Sequence, residues 1–229
     1  TLLKLLMNKK MKKSVVVIGA GVGGLAVAIK LAKAGFDVEV FEQSEVAGGK
    51  MGQFVKDGFR FDTGPSLFTL PQLVRQLIEK QGGAGVGFEF QKLENLCRYH
   101  YSDGVVLNAY GDIERFASEV EQVLGEPKAN VKSYLNKVTE MYNLASEMFI
   151  FNPFARWETF RSELGRKVAR QLHKLDMFLT MHQRNRKSFN SQHLIQLFDR
   201  YGTYNGSNPY AAPATLTMIA HLEHVDGAY

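Results

Sequence analysis

The chain has 229 residues, of which 45% are hydrophobic and 22% are charged, and its net charge is +5. This is the composition of an ordinary globular protein, and the length accommodates one large domain or two small ones with a buried core. No basic stripe interleaved with aromatic residues is present, so nucleic acid is not a predicted partner. The single cysteine, Cys97, excludes an intramolecular disulfide; we interpret it as a small core residue in a reducing compartment.

The N-terminal region is basic and is followed by an uncharged run. Five lysines in the first thirteen residues indicate a solvated tail, with weak attraction to an anionic membrane surface as the alternative. The sixteen uncharged residues from Ser14 to Ile29 are fewer than the roughly 20 that a membrane-spanning helix needs. Their spaced glycines, with no small-residue cleavage site after them, also argue against a signal peptide. We therefore predict that the chain is not an integral membrane protein.

A strand, a helix and a second strand follow one another in about thirty residues. The β-branched run Val15–Ile18 predicts a buried parallel strand, and apolar residues at helical spacing then lead to a stop at Gly35. Val38 to Phe41 predicts the second strand. This order predicts a βαβ unit whose two strands are parallel neighbours.

The turn after the first predicted strand carries the pattern Gly19-x-Gly21-x-x-Gly24. In a dinucleotide-binding unit these glycines allow a tight turn, the approach of the backbone to a pyrophosphate, and close packing of helix on strand. The helix N-terminus then offers free N–H groups to phosphate. Glu42, at the end of the second strand, can accept from ribose hydroxyls and would repel a 2′-phosphate. The pattern predicts a site for NAD or FAD; the alternative is a glycine-rich packing turn.

Further along the chain, "FRFD" predicts a short strand, Pro71 begins a helix, and "LCRYHYSDGVVLNAYG" predicts a hairpin. "GGAGVG", residues 82–87, predicts a loop. After the nucleotide-binding module we therefore predict a small β insertion.

The remainder is predicted to be mostly helical. Asp112 caps a helix that ends at Leu124, and an apolar stripe predicts a long amphipathic helix over 131–149. Two or three more helices reach about residue 200, and a last helix is predicted over Ala214–Glu223. No third ligand at metal-binding spacing accompanies the two histidines of "HLEH", so no metal site is predicted. The sequence also lacks the G-x-S-x-G pattern that holds the nucleophilic serine of many hydrolases.

Three stretches carry a resemblance to a known family: "VFEQSEVAGGKMGQF", "GFRFDTGPSLFTLP" and "RYGTYNGSNPYAAPATL". Together they resemble the carotenoid desaturases of the phytoene desaturase type, within the amine-oxidase-like FAD flavoproteins, from Met11 to Tyr229. The resemblance implies an α/β fold: a Rossmann-type FAD-binding βαβ module, a small β insertion and a mostly helical substrate region. We expect a basic tail over 1–10, the N-terminal part of the FAD-binding domain over 11–90, and a partial substrate domain over 91–229.

The resemblance also implies which residues bind FAD. They are Gly19, Gly21, Val22 and Gly24 at the pyrophosphate, Glu42 at the adenosine ribose, Gly48, Gly49 and Lys50 along the dinucleotide, and Gly64, Pro65 and Ser66 near the flavin. Many relatives have arginine at the position of Lys50; lysine keeps the charge and loses the planar fork. Members are roughly twice as long, so we expect this chain to lack the C-terminal segment that completes the flavin pocket.

The implied reaction removes a hydride and a proton from neighbouring carbons of a long polyene such as phytoene or a hydroxycarotenoid. The flavin does the redox chemistry and passes electrons to a quinone or oxygen. No residue is assigned as catalytic. The alternatives are a carotenoid or retinoid isomerase or saturase, a flavin amine oxidase, or an inactive truncated fragment.

An apolar substrate that dissolves in bilayers implies a cytoplasmic enzyme that is peripheral on the inner face of a membrane. The aromatic segment Met148–Phe160 has the composition of an interfacial patch, and equally that of a buried helix end.

Overall fold

A computed structural model describes residues 13–65, 67–79, 87–149, 158 and 161–229. The chain divides into two compact units between Phe90 and Gln91.

The first unit opens with the predicted βαβ arrangement. Strand β1, Ser14–Ile18, pairs in parallel with β2, Asp37–Phe41, and helix α1, Val22–Lys33, connects them. The first and last residues of the two strands are paired with each other, so both strands end at the same edge of the sheet. The helix ends as predicted, because Gly35 has a φ of +89° that residues with a side chain rarely adopt.

A hairpin follows, of which the sequence predicted only one strand. Strand β3, Gln53–Lys56, pairs antiparallel with β4, Phe59–Asp62, which is the predicted "FRFD" strand. The connecting residues Asp57 and Gly58 have φ values of +52° and +82°, which is the backbone of a two-residue type I′ turn. Helix α2, Pro71–Glu79, begins at the predicted proline.

The second unit begins with the predicted hairpin and its capped helix. Strands β5, Asn95–His100, and β6, Val106–Tyr110, pair antiparallel. Helix α3, Ile113–Leu124, starts where the Asp112 carboxylate accepts from the Arg115 N–H at 2.7 Å. These elements confirm the prediction made from local patterns.

Four α-helices and three short 3₁₀ segments follow in the described part of the second unit. They are α4, Lys128–Phe149; α5, Glu163–Arg170; α6, Met181–Ser188; α7, Gln192–Asp199; and the 3₁₀ segments Leu172–Leu175, Arg200–Asn205 and Ala214–Ile219. One π turn, Leu222–Asp226, follows them. The predicted final α-helix over 214–223 was wrong in type, because this range is a 3₁₀ segment followed by the π turn. Within the tighter turn the Thr217 hydroxyl donates to the carbonyl of Ala214 at 2.7 Å, which a threonine side chain does readily.

The large core lies in the second unit. It packs the β5–β6 hairpin against α3, α4, α6 and α7, and Cys97 lies half-buried against it. Fully buried members include Leu107, Phe116, Val120, Leu135, Met181, Leu194, Phe198 and Tyr201. In the described part of the first unit only Ala20, Ala28 and Pro71 are buried. The prediction that β1 is a buried strand was wrong for these residues, because Val16 is 55% and Ile18 is 89% exposed.

Candidate dinucleotide site

The turn between β1 and α1 is built on Gly19. This residue has a φ of +98°, and its N–H donates to the carbonyl of Phe41 at the end of β2 at 2.7 Å. The turn therefore lies at the carboxyl ends of both parallel strands, which is where ligands bind in open α/β sheets.

Helix α1 approaches this turn so closely that a side chain would not fit. A Cβ placed on Gly24 would lie 2.0 Å from the carbonyl oxygen of Gly19 and 3.5 Å from a methyl group of Val17. Backbone atoms cannot move aside as a flexible side chain can. The contact gives Gly24 the role predicted for the third glycine of the pattern.

The N-terminus of α1 has no side-chain cap because its N-cap residue is Gly21. The first helical hydrogen bond runs from the Leu25 N–H to the Gly21 carbonyl at 2.9 Å, and the first turn contains no acidic residue. The preceding N–H groups, Val22 among them, point along the helix axis without intrahelical partners. Together with the positive end of the helix dipole, they form a place for a phosphate group.

A second glycine-rich segment lies against the first. The Gly48 N–H donates to the Ala20 carbonyl at 2.9 Å, and a Cβ on Gly49 would lie 3.1 Å from the Cα of Gly21. Gly48 and Gly49 have φ values of +128° and +61°, a backbone that favours glycine. The two backbones thus come together with no side chain between them. We name the backbone of residues 19–24 and 48–49 the glycine cradle.

Gly64 adds a third close approach, from the segment that follows β4. A Cβ at this position would lie 2.3 Å from the carbonyl oxygen of Lys50. The chain after the hairpin is therefore held against the Gly48–Lys50 segment by backbone contact.

Glu42 is fixed beside the glycine turn by two backbone donors. One carboxylate oxygen accepts from the Ser44 N–H at 2.9 Å and the other from the Ala20 N–H at 2.7 Å. These bonds, with that from Ser44 the larger contributor, lower the pKa of Glu42 and keep it ionised. A carboxylate offers about four lone-pair positions, so the Ala20 and Ser44 N–H groups do not exhaust its capacity to accept from hydroxyl donors.

The remaining predicted site residues lie at the edge of this cradle or beyond the described part. The side chains of Val22, Lys50 and Pro65 are exposed, and Ser66 lies outside the described residues. Sequence reasoning missed the backbone donors of Ala20 and Ser44, because the side-chain bond to the N–H two residues on is a turn signal for Asp and Asn and not for Glu.

In the second unit, a buried carboxylate holds the start of the "RYGTYNGSNPYAAPATL" stretch. Glu223 is 1% exposed and accepts from the Arg200 guanidinium and the Tyr201 hydroxyl, both at 2.8 Å, and from the Tyr204 hydroxyl. Burial raises the pKa of Glu223, but these hydrogen bonds and the Arg200 charge lower it by more, so the group stays ionised. Sequence reasoning did not find this cluster.

The middle of the same stretch contacts His182, whose ring is held by a second carboxylate, that of Asp199. Asp199 accepts from the Asn185 amide at 2.8 Å and contacts the imidazole Nδ1 of His182 at 2.6 Å. The His182 ring lies 4.3 Å from the ring of Tyr210, and its backbone N–H donates to the Pro209 carbonyl at 3.0 Å. Polar and ring contacts therefore hold both the start and the middle of this stretch.

No set of three metal-ligating side chains occurs among the described residues. Within that same part of the chain, no helix combines the length and the apolar character needed to cross a bilayer.

Residues 17–81 match the family model of the NAD(P)-binding Rossmann-like domain. This match includes the last two residues of β1, the glycine turn, α1 and β2. It establishes a Rossmann-like dinucleotide fold for the first unit.

The chain is 36% identical over 95% of its length to a 1-hydroxycarotenoid 3,4-desaturase from Flavobacterium sp. (strain P99-3). It is also 31% identical over 97% of its length to a 4,4′-diapolycopene oxygenase from Methylomonas sp.. The chain belongs to the carotenoid desaturase family. It spans 44% and 45% of the length of these two relatives. A third member, a 4,4′-diapolycopen-4-al dehydrogenase from Metabacillus indicus, is 25% identical over 94% of the chain.

Solved structures of oxidoreductases share the fold of this desaturase-family chain. A putrescine oxidase matches with a TM-score of 0.55 and 22% identity, over 93% of this chain and 44% of that one. An oxidoreductase from Methanosarcina mazei matches with a TM-score of 0.50 and 18% identity, over 94% of this chain and 44% of that one.

Proposed function

We propose that this chain contributes the FAD-binding cradle and part of the substrate region of an oxidoreductase that desaturates a carotenoid precursor such as phytoene or a hydroxycarotenoid. The observation that carries the proposal is the steric closure at Gly24, where a Cβ would lie 2.0 Å from the Gly19 carbonyl oxygen. Such closure is needed where a helix N-terminus faces a pyrophosphate. The 36% identity to a hydroxycarotenoid desaturase supports the choice of reaction.

The described residues fit a dinucleotide. The backbone at Gly19, Gly21, Val22 and Gly24 binds the pyrophosphate, and Glu42 accepts from the adenosine ribose hydroxyls. The backbone of Gly48 and Gly49 approaches the dinucleotide, with Lys50 as a flexible point charge beside it. We propose that Gly64 and Pro65 lie near the flavin, and that Ser66, which is outside the described residues, contributes there as well.

FAD is proposed rather than NADP because a fixed, ionised Glu42 repels a 2′-phosphate. FAD is proposed rather than NAD because of the chain's family. When bound, it supplies the two-electron chemistry by accepting the hydride that leaves the substrate. The protein's own part is to bind and orient the reactants and to exclude water; no side chain is proposed as an acid or base.

The substrate and the acceptor define the proposed partners. The substrate is an apolar polyene, and the electrons pass on to a quinone or oxygen. Because such a polyene dissolves in bilayers, we propose that the protein works at the inner, cytoplasmic face of a membrane. The aromatic segment Met148–Phe160 predicted for this contact lies largely outside the described residues.

A second candidate is oxidation at the end of a carotenoid chain. It is favoured by the relatives named 4,4′-diapolycopene oxygenase and 4,4′-diapolycopen-4-al dehydrogenase. A carotenoid isomerase or saturase would use the same cradle, so only product analysis separates these reactions.

The test begins with cofactor binding. The purified 229-residue chain is titrated with FAD and, separately, with NAD and NADP, and bound flavin is measured by its visible absorption before and after denaturation. We expect stoichiometric FAD and weaker binding of the two nicotinamide dinucleotides. A folded chain that prefers NAD would contradict the cofactor assignment.

Product analysis forms the second part of the test. The FAD-loaded protein is incubated with phytoene, a 1-hydroxycarotenoid and 4,4′-diaponeurosporene, with a quinone as acceptor and dissolved oxygen present. A new double bond in the first two substrates supports desaturation, whereas an oxygenated end group in the third supports the second candidate.

A further inference from the structure

Residues 161–188 concentrate the positive charge of the protein. They contain eight lysines and arginines against two acidic residues, a net charge of +6 compared with +5 for the whole chain. The stretch comprises α5, the following 3₁₀ segment, a turn and α6. Such a density of charge attracts anionic partners.

An apolar turn projects from the middle of this basic stretch. Phe178 is 100% exposed and Met177 is 47% exposed. They lie at the tip of a turn closed by a hydrogen bond from the Leu179 N–H to the Asp176 carbonyl at 3.1 Å. We name residues 176–179 the apolar turn.

The apolar turn is held outward by a rigid base. Leu175 before it and Met181 after it are almost fully buried. The Thr215 hydroxyl donates to the Leu175 carbonyl at 2.7 Å, and the Arg184 Nε lies 3.2 Å from the Asp176 carboxylate. Because both flanks are fixed in the core, the exposure of Phe178 is a property of the folded chain.

Cations lie next to this exposed ring. Phe178 and Leu179 line one surface depression together with Arg186 and Lys187 of α6. A protein interior covering this site would have to desolvate those cations, which is costly without paired anions. The headgroup layer of an anionic bilayer offers phosphates to the cations, and the acyl boundary beneath it takes up an aromatic ring.

We propose that the apolar turn and the adjacent cations of α6 form the attachment surface for an anionic lipid bilayer. The surface is distinct from the aromatic segment Met148–Phe160 considered above. It names the surface by which the protein would reach the membrane of the proposed function. It rests on that function only for the reason why the protein works at a membrane. Its chemistry, a ring that inserts and cations that bind headgroups, is measurable without catalysis.

Sedimentation with vesicles tests the proposal. The 229-residue chain is mixed with phosphatidylcholine vesicles, with and without a third of phosphatidylglycerol, at low and high salt. We expect binding to the anionic vesicles that weakens at high salt, because screening shortens the range of the charge interaction. Equal binding to both vesicle types, or to neither, would overturn the proposal.

Variants of the ring separate insertion from simple charge attraction. Phe178→Ser should lower vesicle partitioning about tenfold, because it removes the inserted ring. Phe178→Leu should stay within about threefold of the parent. Val123→Ser, in the exposed face of α3, is the matched control and should leave partitioning unchanged. Unchanged binding of Phe178→Ser would overturn insertion.

Variants of charge locate the cationic part. Arg186→Glu with Lys187→Glu should weaken binding at least tenfold, since each cation near an anionic surface contributes. Lys128→Glu with Lys132→Glu makes the same change of net charge beside α3, where both lysines form ion pairs. Equal losses in both pairs would overturn a local site.

A competing RNA separates lipid from other polyanions. RNA at equal phosphate concentration should displace little of the vesicle-bound protein, and stronger binding to RNA than to vesicles would overturn the lipid assignment. Circular dichroism and FAD titration of each variant report fold and cradle separately. If the folded parent chain bound anionic vesicles but not FAD, the proposed cofactor would be contradicted and the proposed membrane surface would still be supported.

Discussion

Two neighbouring glycines at the start of α1 have opposite steric surroundings. A Cβ on Gly24 would lie 2.0 Å from the Gly19 carbonyl oxygen, whereas a Cβ on Gly23 would meet no atom within 4 Å. The sequence pattern assigns close packing to Gly24 as its third glycine and assigns no role to Gly23. The structure separates a glycine that the fold requires from one that it merely tolerates.

Gly24→Ala should therefore open the contact between α1 and the turn and abolish FAD binding or weaken it by more than tenfold. Gly23→Ala is the matched control; it should keep FAD binding and raise stability by up to about 1 kcal/mol, because alanine favours the helix over glycine. FAD titration and chemical denaturation of both variants check the prediction. Equal FAD affinity in the two variants would contradict the role given to Gly24.

His224 is a buried histidine that the fold keeps neutral. Its ring stacks on Phe116 at 4.6 Å between centroids, and neither ring nitrogen has a hydrogen-bond partner among the described residues. Burial lowers the pKa of His224 to about 4. The unfolded chain binds this proton near pH 6.5, so the unfolded state gains protons first as the pH falls.

Stability should therefore decrease between pH 7 and pH 5 by about 2 kcal/mol from His224 alone. His224→Phe retains an aromatic ring and should remove that share of the pH dependence. His100→Gln, which changes an exposed histidine, is the control and should retain it. Denaturant unfolding at the two pH values measures the difference; parallel slopes for the parent and His224→Phe would contradict the assignment.

At the scale of elements, local sequence signals predicted most of the helices and strands. The segments that were not predicted depend on tertiary packing. The βαβ unit, the β5–β6 hairpin and the capped α3 follow from periodicity, turn residues and Asp112. Strand β3 was missed, although Asp57-Gly58 is a strong signal for a two-residue hairpin turn. The 3₁₀ and π segments over 214–226 could not be predicted, because Thr215 bonds to Leu175, which is forty residues away.

The N-terminus of α1 gives a prediction in which helix stability and ligand binding move in opposite directions. Gly23→Asp places a carboxylate in the first turn, where it should stabilise the ligand-free helix by about 0.3–1 kcal/mol through the helix dipole. The same charge should repel a pyrophosphate and weaken FAD binding at least tenfold. Circular dichroism melting and FAD titration measure the two effects, with Gly23→Ala as reference; tighter FAD binding would contradict phosphate binding there.

At the scale of the whole molecule, the two units differ in how much core each contains. The second unit has an extensive buried cluster built on α3, α4 and α7. The described part of the first unit buries three side chains and exposes apolar residues such as Ile18 and Phe41. The glycine pattern and Glu42 could be predicted from the sequence because they are local. The Glu223 and Asp199 anchors could not, because their partners come from separate elements.

This difference predicts where hydrogen exchange responds to ligand. Without FAD, amides of β1, α1 and β2 should exchange faster than those of α4, because few buried contacts oppose local opening of the first unit. FAD at about 100 times its Kd should stabilise the binding-competent state by about 2.7 kcal/mol. Exchange over 14–64 should then slow by up to about a hundredfold, while α4 should change little. Mass spectrometry of the exchanged peptides measures both regions, and slowing confined to α4 would place the ligand away from the glycine cradle.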